Sequence, residues 1–379
     1  MSELPKEARA VVLDASSGEV SLQTFPVAEP RAGQILVRVL RANICGSDLH
    51  MLRGEAFAMF RPKPFVLGHE MVGEIVALGD GVKADSRGAR LKVGDRITHA
   101  YHAGCGSCSV CGRGNEHQCV AALTTVLREC GKAPHLTGAF AEYYVVRRGQ
   151  AVCKVPDGVS DAIVAGCNCA LAQVIQGLKT VQVGIGDQVV VQGAGGLGLY
   201  ATAVAQAMGA RQVIVIDAHP ARLELAKAFG ADRVISLGEA SDPRMRSLQV
   251  MQATGGGADV VVEVVGRAAA LREGQRMLQR GGRYLVMGCI VPKDTFKADP
   301  SIWVGGNLSL HGVSLYESQS LLDAVDFVAR HKDRLPLEAM VGESYPLDRF
   351  KEAFEAADAF GGDGTTVGRV AFDMTMEAA

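Results

Sequence analysis

The spacing of apolar positions changes near residue 160, and the two parts of the chain predict different architectures. Before that point apolar residues come in short runs: "QILVRVL" at 34–40, "HEMVGEIVAL" at 69–78, "LKVGDRITH" at 91–99 and "AFAEYYVVRRGQAVCKVP" at 139–156. Turn signals such as "GDGV" part them. Short apolar runs bounded by Gly-Asp turns predict strands. Helix signals are few as far as about residue 155, so this part predicts a barrel-like β domain.

Beyond residue 160 the pattern alternates. "DQVVVQGAGGLGLYATAVAQAMGARQVIVID" (187–217) reads as strand, glycine turn, Ala-rich helix and strand. "PARLELAKAFGADRVISL" repeats helix then strand. "ADVVVEVVG", "AAALREGQRMLQRGG" (268–282) and "RYLVMGCI" add strand, helix and strand. Such alternation predicts a doubly wound parallel sheet, and hence an α/β protein. Amphipathic helices follow at 320–332 and 347–360, and a short strand, "GRVAFDM", is placed to return to the first domain.

Composition narrows the class. A chain of 379 residues is long enough for two domains, and 48% hydrophobic with 21% charged residues is ordinary for a soluble globular protein. A net charge of −2 gives no reason to expect nucleic acid or an anionic membrane as partner. Residues 188–210 carry no charge over a length that could span a bilayer, but their five glycines and three glutamines argue against a membrane span. The first ten residues lack the apolar core of a signal peptide, so a cytoplasmic location is expected. In a reducing compartment, "CGSCSVCGRGNEHQC" is more readily explained as a metal site than as disulfides. Its spacing lets Cys105, Cys108, Cys111 and Cys119 converge on one tetrahedral ion, and four thiolates leave no open position, so the site is structural.

Gly193-Ala-Gly195-Gly196-Leu197-Gly198 fits the dinucleotide fingerprint, follows the strand "QVVVQ" and opens a helix. The second strand of that unit ends at Asp217, whose carboxylate is placed to accept hydrogen bonds from ribose hydroxyls and to repel a 2′-phosphate. NAD is therefore expected rather than NADP.

Three further stretches, "NICGSDLH", "VLGHEMVGEIVALGDGV" and "GCNCALAQVIQGL", hold sulfur and imidazole groups that spacing alone cannot join. Cys-Gly-Ser-Asp-x-His at 45–50, Gly-His-Glu-x-x-Gly-x5-Gly-x-x-Val at 68–82, the four-cysteine stretch, the glycine fingerprint and "YPLDRFKEAFEA" together give the resemblance. Over essentially its whole length the chain resembles the zinc-containing alcohol dehydrogenases of the medium-chain dehydrogenase/reductase family. That resemblance implies a GroES-like catalytic domain over 1–170 with the structural zinc lobe at 104–120. It also implies an NAD-binding Rossmann domain over 171–314 and a return to the catalytic domain over 315–379.

It further implies a catalytic zinc on Cys45, His69 and a third ligand about two dozen residues before Gly193. Cys169, which leads "ALAQVIQGL", is favoured over Cys167. Two cysteines and one histidine is the set for which alcohol dehydrogenase is itself the standing example, so it comes from the resemblance and not from spacing. Asp48 would orient His69, Glu70 would be the acidic neighbour of the metal, and Ser47 with His50 would relay the substrate proton. Arg222 would reach the adenosine ribose and Arg369 the pyrophosphate. Tyr101 and Phe140 stand where the family lines its substrate pocket, and the stretch 51–64 is a candidate for the substrate mouth. Cys130, Cys153, Cys167 and Cys289 are expected to be packing residues. Gly46 replaces a basic residue that some members carry.

The implied activity is NAD-dependent oxidation of an alcohol to an aldehyde or ketone by a homodimer or homotetramer with one catalytic and one structural zinc per chain. Two alternatives are a zinc-independent quinone or enoyl reductase and a non-catalytic NAD-binding protein.

Overall fold

The computed structural model describes residues 4–55, 63–124, 126–363 and 368–376. The chain opens with a hairpin of β1 (Glu7–Asp14) and β2 (Glu19–Pro26), which the apolar pattern does not mark. Then come β3 (Ile35–Asn43), α1 (Gly46–Leu52), β4 (Phe65–Val66), β5 (Glu70–Leu78) and β6 (Arg96–His99). The short α2 (Val120–Thr124) precedes β7 (Tyr143–Val146), β8 (Val152–Lys154) and α3 (Asp161–Val164). A π-helical turn, Cys167–Leu171, leads into α4 (Ala172–Thr180).

The alternating region gives β9 (Gln188–Gln192), α5 (Gly196–Ala207), β10 (Gln212–Asp217), α6 (Pro220–Ala228) and β11 (Arg233–Ser236). It continues with α7 (Pro243–Thr254), β12 (Ala258–Glu263), α8 (Ala268–Gly274), β13 (Leu278–Val286), α9 (Pro300–Gly306) and β14 (Ser309–Gly312). Last are α10 (Ser318–His331), β15 (Val341–Tyr345), α11 (Phe350–Asp363) and β16 (Arg369–Asp373).

Strands β9 to β14 form one parallel sheet in the order β11-β10-β9-β12-β13-β14. The order reverses beside β9, and in open α/β sheets a ligand crevice forms at such a point. The first part of the chain builds a seven-stranded sheet, β15-β16-β3-β5-β6-β8 with β7 on β3, and a small sheet, β2-β1-β4. Strand β16 pairs antiparallel with β3, so the end of the chain does return to the first sheet.

One expectation is corrected. The helix predicted over 268–282 stops at Gly274, and residues 278–282 belong to β13. Leu278 is buried against the apolar layer under the sheet, and burial in tertiary packing overrides local helix propensity. Among the described residues one helical run, Asp161–Thr180, is long and apolar enough to cross a bilayer. Since 83% of its apolar window is buried inside the fold, it reads as a core helix. It carries the π-turn, on which β5, α5 and α10 pack.

Candidate active site and metal centres

Cys45 follows β3 and starts α1, where its backbone N–H donates to Asp48 Oδ2 at 2.9 Å. That bond closes the first turn of a seven-residue helix too short to hold itself by propensity. His69 enters just before β5 from Gly68. Gly68 has φ of +85°, and a Cβ there would lie 2.4 Å from the Phe140 ring, so only glycine fits. Cys169 comes from the π-turn, an element often found at functional sites. Donor atoms of Cys45, His69, Glu70 and Cys169 all lie within 4.8 Å of one another. Cys167 is not in this group. Its thiol points at the carbonyls of Ile163 (3.8 Å) and Ala324 (4.0 Å).

The electrostatics of this cluster suit a cation. A hydrogen bond from Cys169 holds the Cys45 thiol well below its usual range and pushes Cys169 up, so Cys169 is the harder of the two to ionise. Burial raises Glu70 to about 7 against the pull of Arg369. His69 Nδ1 lies 3.3 Å from Asp48 Oδ1, close but not aligned for a hydrogen bond, while its Nε2 faces Cys169 Sγ at 3.4 Å. Glu70 Oε1 is buried and has no hydrogen-bond partner among the described residues. Two sulfurs, an imidazole nitrogen and a carboxylate oxygen, all buried except the half-buried Cys45, fit a zinc ion with a carboxylate beside it. Metal binding would release the remaining thiol proton.

Cys105, Cys108, Cys111 and Cys119 form the second group, with Sγ atoms 4.0 Å apart for Cys105–Cys111 and 3.7 Å for Cys108–Cys119. Gly106 and Gly114 adopt φ of +71° and +79°, which lets the loop double back. Hydrogen bonds from Ser107 lower the Cys105 thiol to about 6. Four sulfurs close this site, which is therefore structural.

The glycine turn lies between β9 and α5. A Cβ on Gly198 would fall 1.8 Å from the Gly193 carbonyl, so helix and strand approach only because the side chain is missing. Asp217 accepts from Ala194 N (2.6 Å) and His219 N (2.8 Å), which places its carboxylate on the turn that Gly193, Gly195, Gly196, Leu197 and Gly198 build. Arg369 pairs with Glu70, and a Cβ on Gly196 would lie 3.0 Å from its guanidinium. One arginine thus spans the metal cluster and the start of α5. Arg222 lies in α6, directly after β10. Ser47 Oγ is 3.5 Å from His69 Nε2, while His50 Nδ1 is 2.7 Å from a Glu55 carboxylate oxygen.

Tyr101 packs its ring 4.8 Å from that of His69. Phe140 does not line a pocket. It is wholly buried under Gly68, against Phe354 and Phe372. Cys130, Cys153 and Cys167 are buried as expected, but Cys289 is exposed, because it follows the end of β13. Of the stretch 51–64, residues 56–62 lie outside the described residues. Sequence reasoning misses two site residues: Asn43, whose amide is 3.5 Å from Glu70, and Asn168. For Asn168, a polar residue between two cysteines in an otherwise apolar segment was the available clue.

Residues 31–157 match the family described as alcohol dehydrogenase GroES-like domain, and residues 196–330 match zinc-binding dehydrogenase. A 5-exo-hydroxycamphor dehydrogenase from Pseudomonas putida is 34% identical, the alignment covering 93% of this chain and 96% of that one. An L-threonine 3-dehydrogenase from Saccharopolyspora erythraea is 32% identical over 97% and 99%. The solved structure of an alcohol dehydrogenase from Thermotoga maritima superposes with a TM-score of 0.87 at 31% identity, covering 97% of this chain and 99% of that one. With both zinc sites in place, neither the zinc-independent reductase nor the non-catalytic protein is needed. The chain belongs to the zinc-containing medium-chain alcohol dehydrogenase family, as an NAD-dependent enzyme acting on CH–OH groups with one catalytic and one structural zinc.

Proposed function

We propose that this enzyme interconverts a secondary alcohol and its ketone, with Ser47 and His50 carrying the hydroxyl proton outward. The observation that carries the reading is the Ser47 hydroxyl beside His69, where it faces the same small space as the Cys45 and Cys169 sulfurs. When bound, zinc supplies a Lewis acid that makes the alcohol more acidic, and NAD supplies the hydride acceptor. Ser47 Oγ accepts the proton and donates its own onward. His50, three residues further along α1 and part-exposed, passes a proton to solvent while Glu55 holds its Nδ1. Asp48 keeps the His69 ring turned to the ligand set. Glu70 is the acidic neighbour of the metal. Asp217 and Arg222 take the adenosine ribose, and Arg369, beside Gly196 and the positive end of α5, takes the pyrophosphate.

The secondary-alcohol reading is supported by the hydroxycamphor and threonine dehydrogenases, whose named substrates are oxidised at secondary carbinols. Division of the chain at 170 and 314 is supported by the strands, since β9 to β14 form one sheet and β15 and β16 join the other. A homodimer or homotetramer is supported by β14, an edge strand with exposed Leu310, beside α9 with exposed Ile302 and Val304. A cytoplasmic location is supported by ten free cysteines.

A panel of primary, secondary, aromatic and polyol alcohols, assayed with NAD and with NADP, tests the reading. Secondary alcohols should exceed matched primary ones in kcat/KM by about tenfold or more, and NAD should exceed NADP similarly. Preference for a primary alcohol would overturn the substrate class, and preference for NADP the role of Asp217.

A further inference from the structure

We propose that Asn168 is the positioning residue of the catalytic metal site, locking the π-turn so that Cys169 and not Cys167 reaches the metal. This rests on Cys45, His69 and Cys169 being the ligand set. Asn168 is wholly buried as the second residue of the π-turn, between the two cysteines. Its side-chain amide donates to the carbonyls of His69 and His99, both at 2.9 Å, and its oxygen accepts from Met71 N at 3.3 Å. Both donors of the NH2 group are used, and their carbonyl partners settle which way the amide faces.

These bonds tie the turn to the metal ligand His69, to the start of β5 and to the end of β6. On its other side the Asn168 carbonyl accepts the Tyr316 hydroxyl, and Tyr316 is also buried. With its side chain and its carbonyl both pinned, the residue cannot rotate about the helix axis. Two positions apart on a helical turn, neighbouring side chains face nearly opposite ways, so the clamp decides which thiol faces His69. The arrangement matches: the Cys169 sulfur is 3.4 Å from His69 Nε2, and the Cys167 sulfur points to Ile163 and Ala324. A residue that only filled the core would not need to bond the backbone of a ligand.

The test uses holoenzyme and its N168D variant, in which the shape and the acceptor for Met71 persist but the NH2 group that serves both carbonyls is gone. Zinc transfer to a chromophoric chelator is followed, the catalytic phase being the one missing from C169S. Catalytic zinc should leave about 10- to 100-fold faster, with lobe zinc unchanged. Cobalt-substituted N168D should show displaced ligand-field and sulfur-to-cobalt bands. Unchanged zinc release with unchanged cobalt bands would overturn the proposal, even if the melting temperature fell. Should N168D fail to fold, N168S, which keeps one donor, should show an intermediate release rate, and a wild-type rate there would overturn the proposal equally. A C169S variant that keeps both zincs would instead overturn the ligand set on which the proposal rests.

Discussion

The lobe draws its four sulfurs from residues 105–119, whereas the buried centre gathers Cys45, His69 and Cys169 from three distant segments. The lobe is built by backbone turns: left-handed glycines reverse the chain, 3-10 turns at Cys111–Arg113 and Glu116–Gln118 space the thiols, and Cys105 stays exposed. Its geometry needs little besides its own sequence and the ion. The buried centre needs the first large sheet, which brings Cys45 and His69 together, and the π-turn that β5, α5 and α10 hold in place. The first arrangement anchors a surface loop. The second leaves two thiols, an imidazole and Glu70 facing one small space, which chemistry on a substrate requires.

The largest effect expected from breaking this contrast is local. C111S should lose the lobe zinc and keep the catalytic one. Structural zinc contributes on the order of 10 kcal/mol to folding in small zinc-dependent modules, so residues 105–119 should open. Limited proteolysis with metal analysis checks this, and a lobe that stays protected without its zinc would contradict it.

A smaller effect separates the buried side of the comparison. Burial lowers His99 from 6.5 to about 4, so it is neutral in the folded chain and protonates in the unfolded one below its ordinary value. Its contribution is present above pH 6.5 and is lost as pH falls towards 4, by about 3 kcal/mol in all. H99F keeps the ring packing on Tyr144, 4.4 Å away, and should lose stability less steeply over that range in urea melts. Parallel slopes for the two proteins would contradict this role of His99.

What could be read from the sequence follows the same division. The lobe and the glycine turn are local patterns, and a spacing of three or seven residues carries their geometry. The alternation after residue 160 carried the parallel sheet for the same reason, except where β13 took over the end of the helix predicted over 268–282. By contrast, α1 went unseen although Asp48 caps it, because cysteine stands where Ser or Thr would advertise the turn. The β1–β2 hairpin is also silent, since all but one residue of β2 are exposed or part-exposed and its apolar alternation is weak. The third ligand could be chosen only by resemblance, since "GCNCAL" holds two thiols and no local rule says which one turns inward. That choice lies in the bonds of Asn168 to backbone some 70 and 100 residues away.

Zinc per chain in C169S and C167S tests the buried centre most directly. C169S should hold one zinc and show no measurable turnover, against two zincs and near wild-type turnover in C167S. Two zincs in an active C169S, or loss of one on replacing Cys167, would contradict this ligand set.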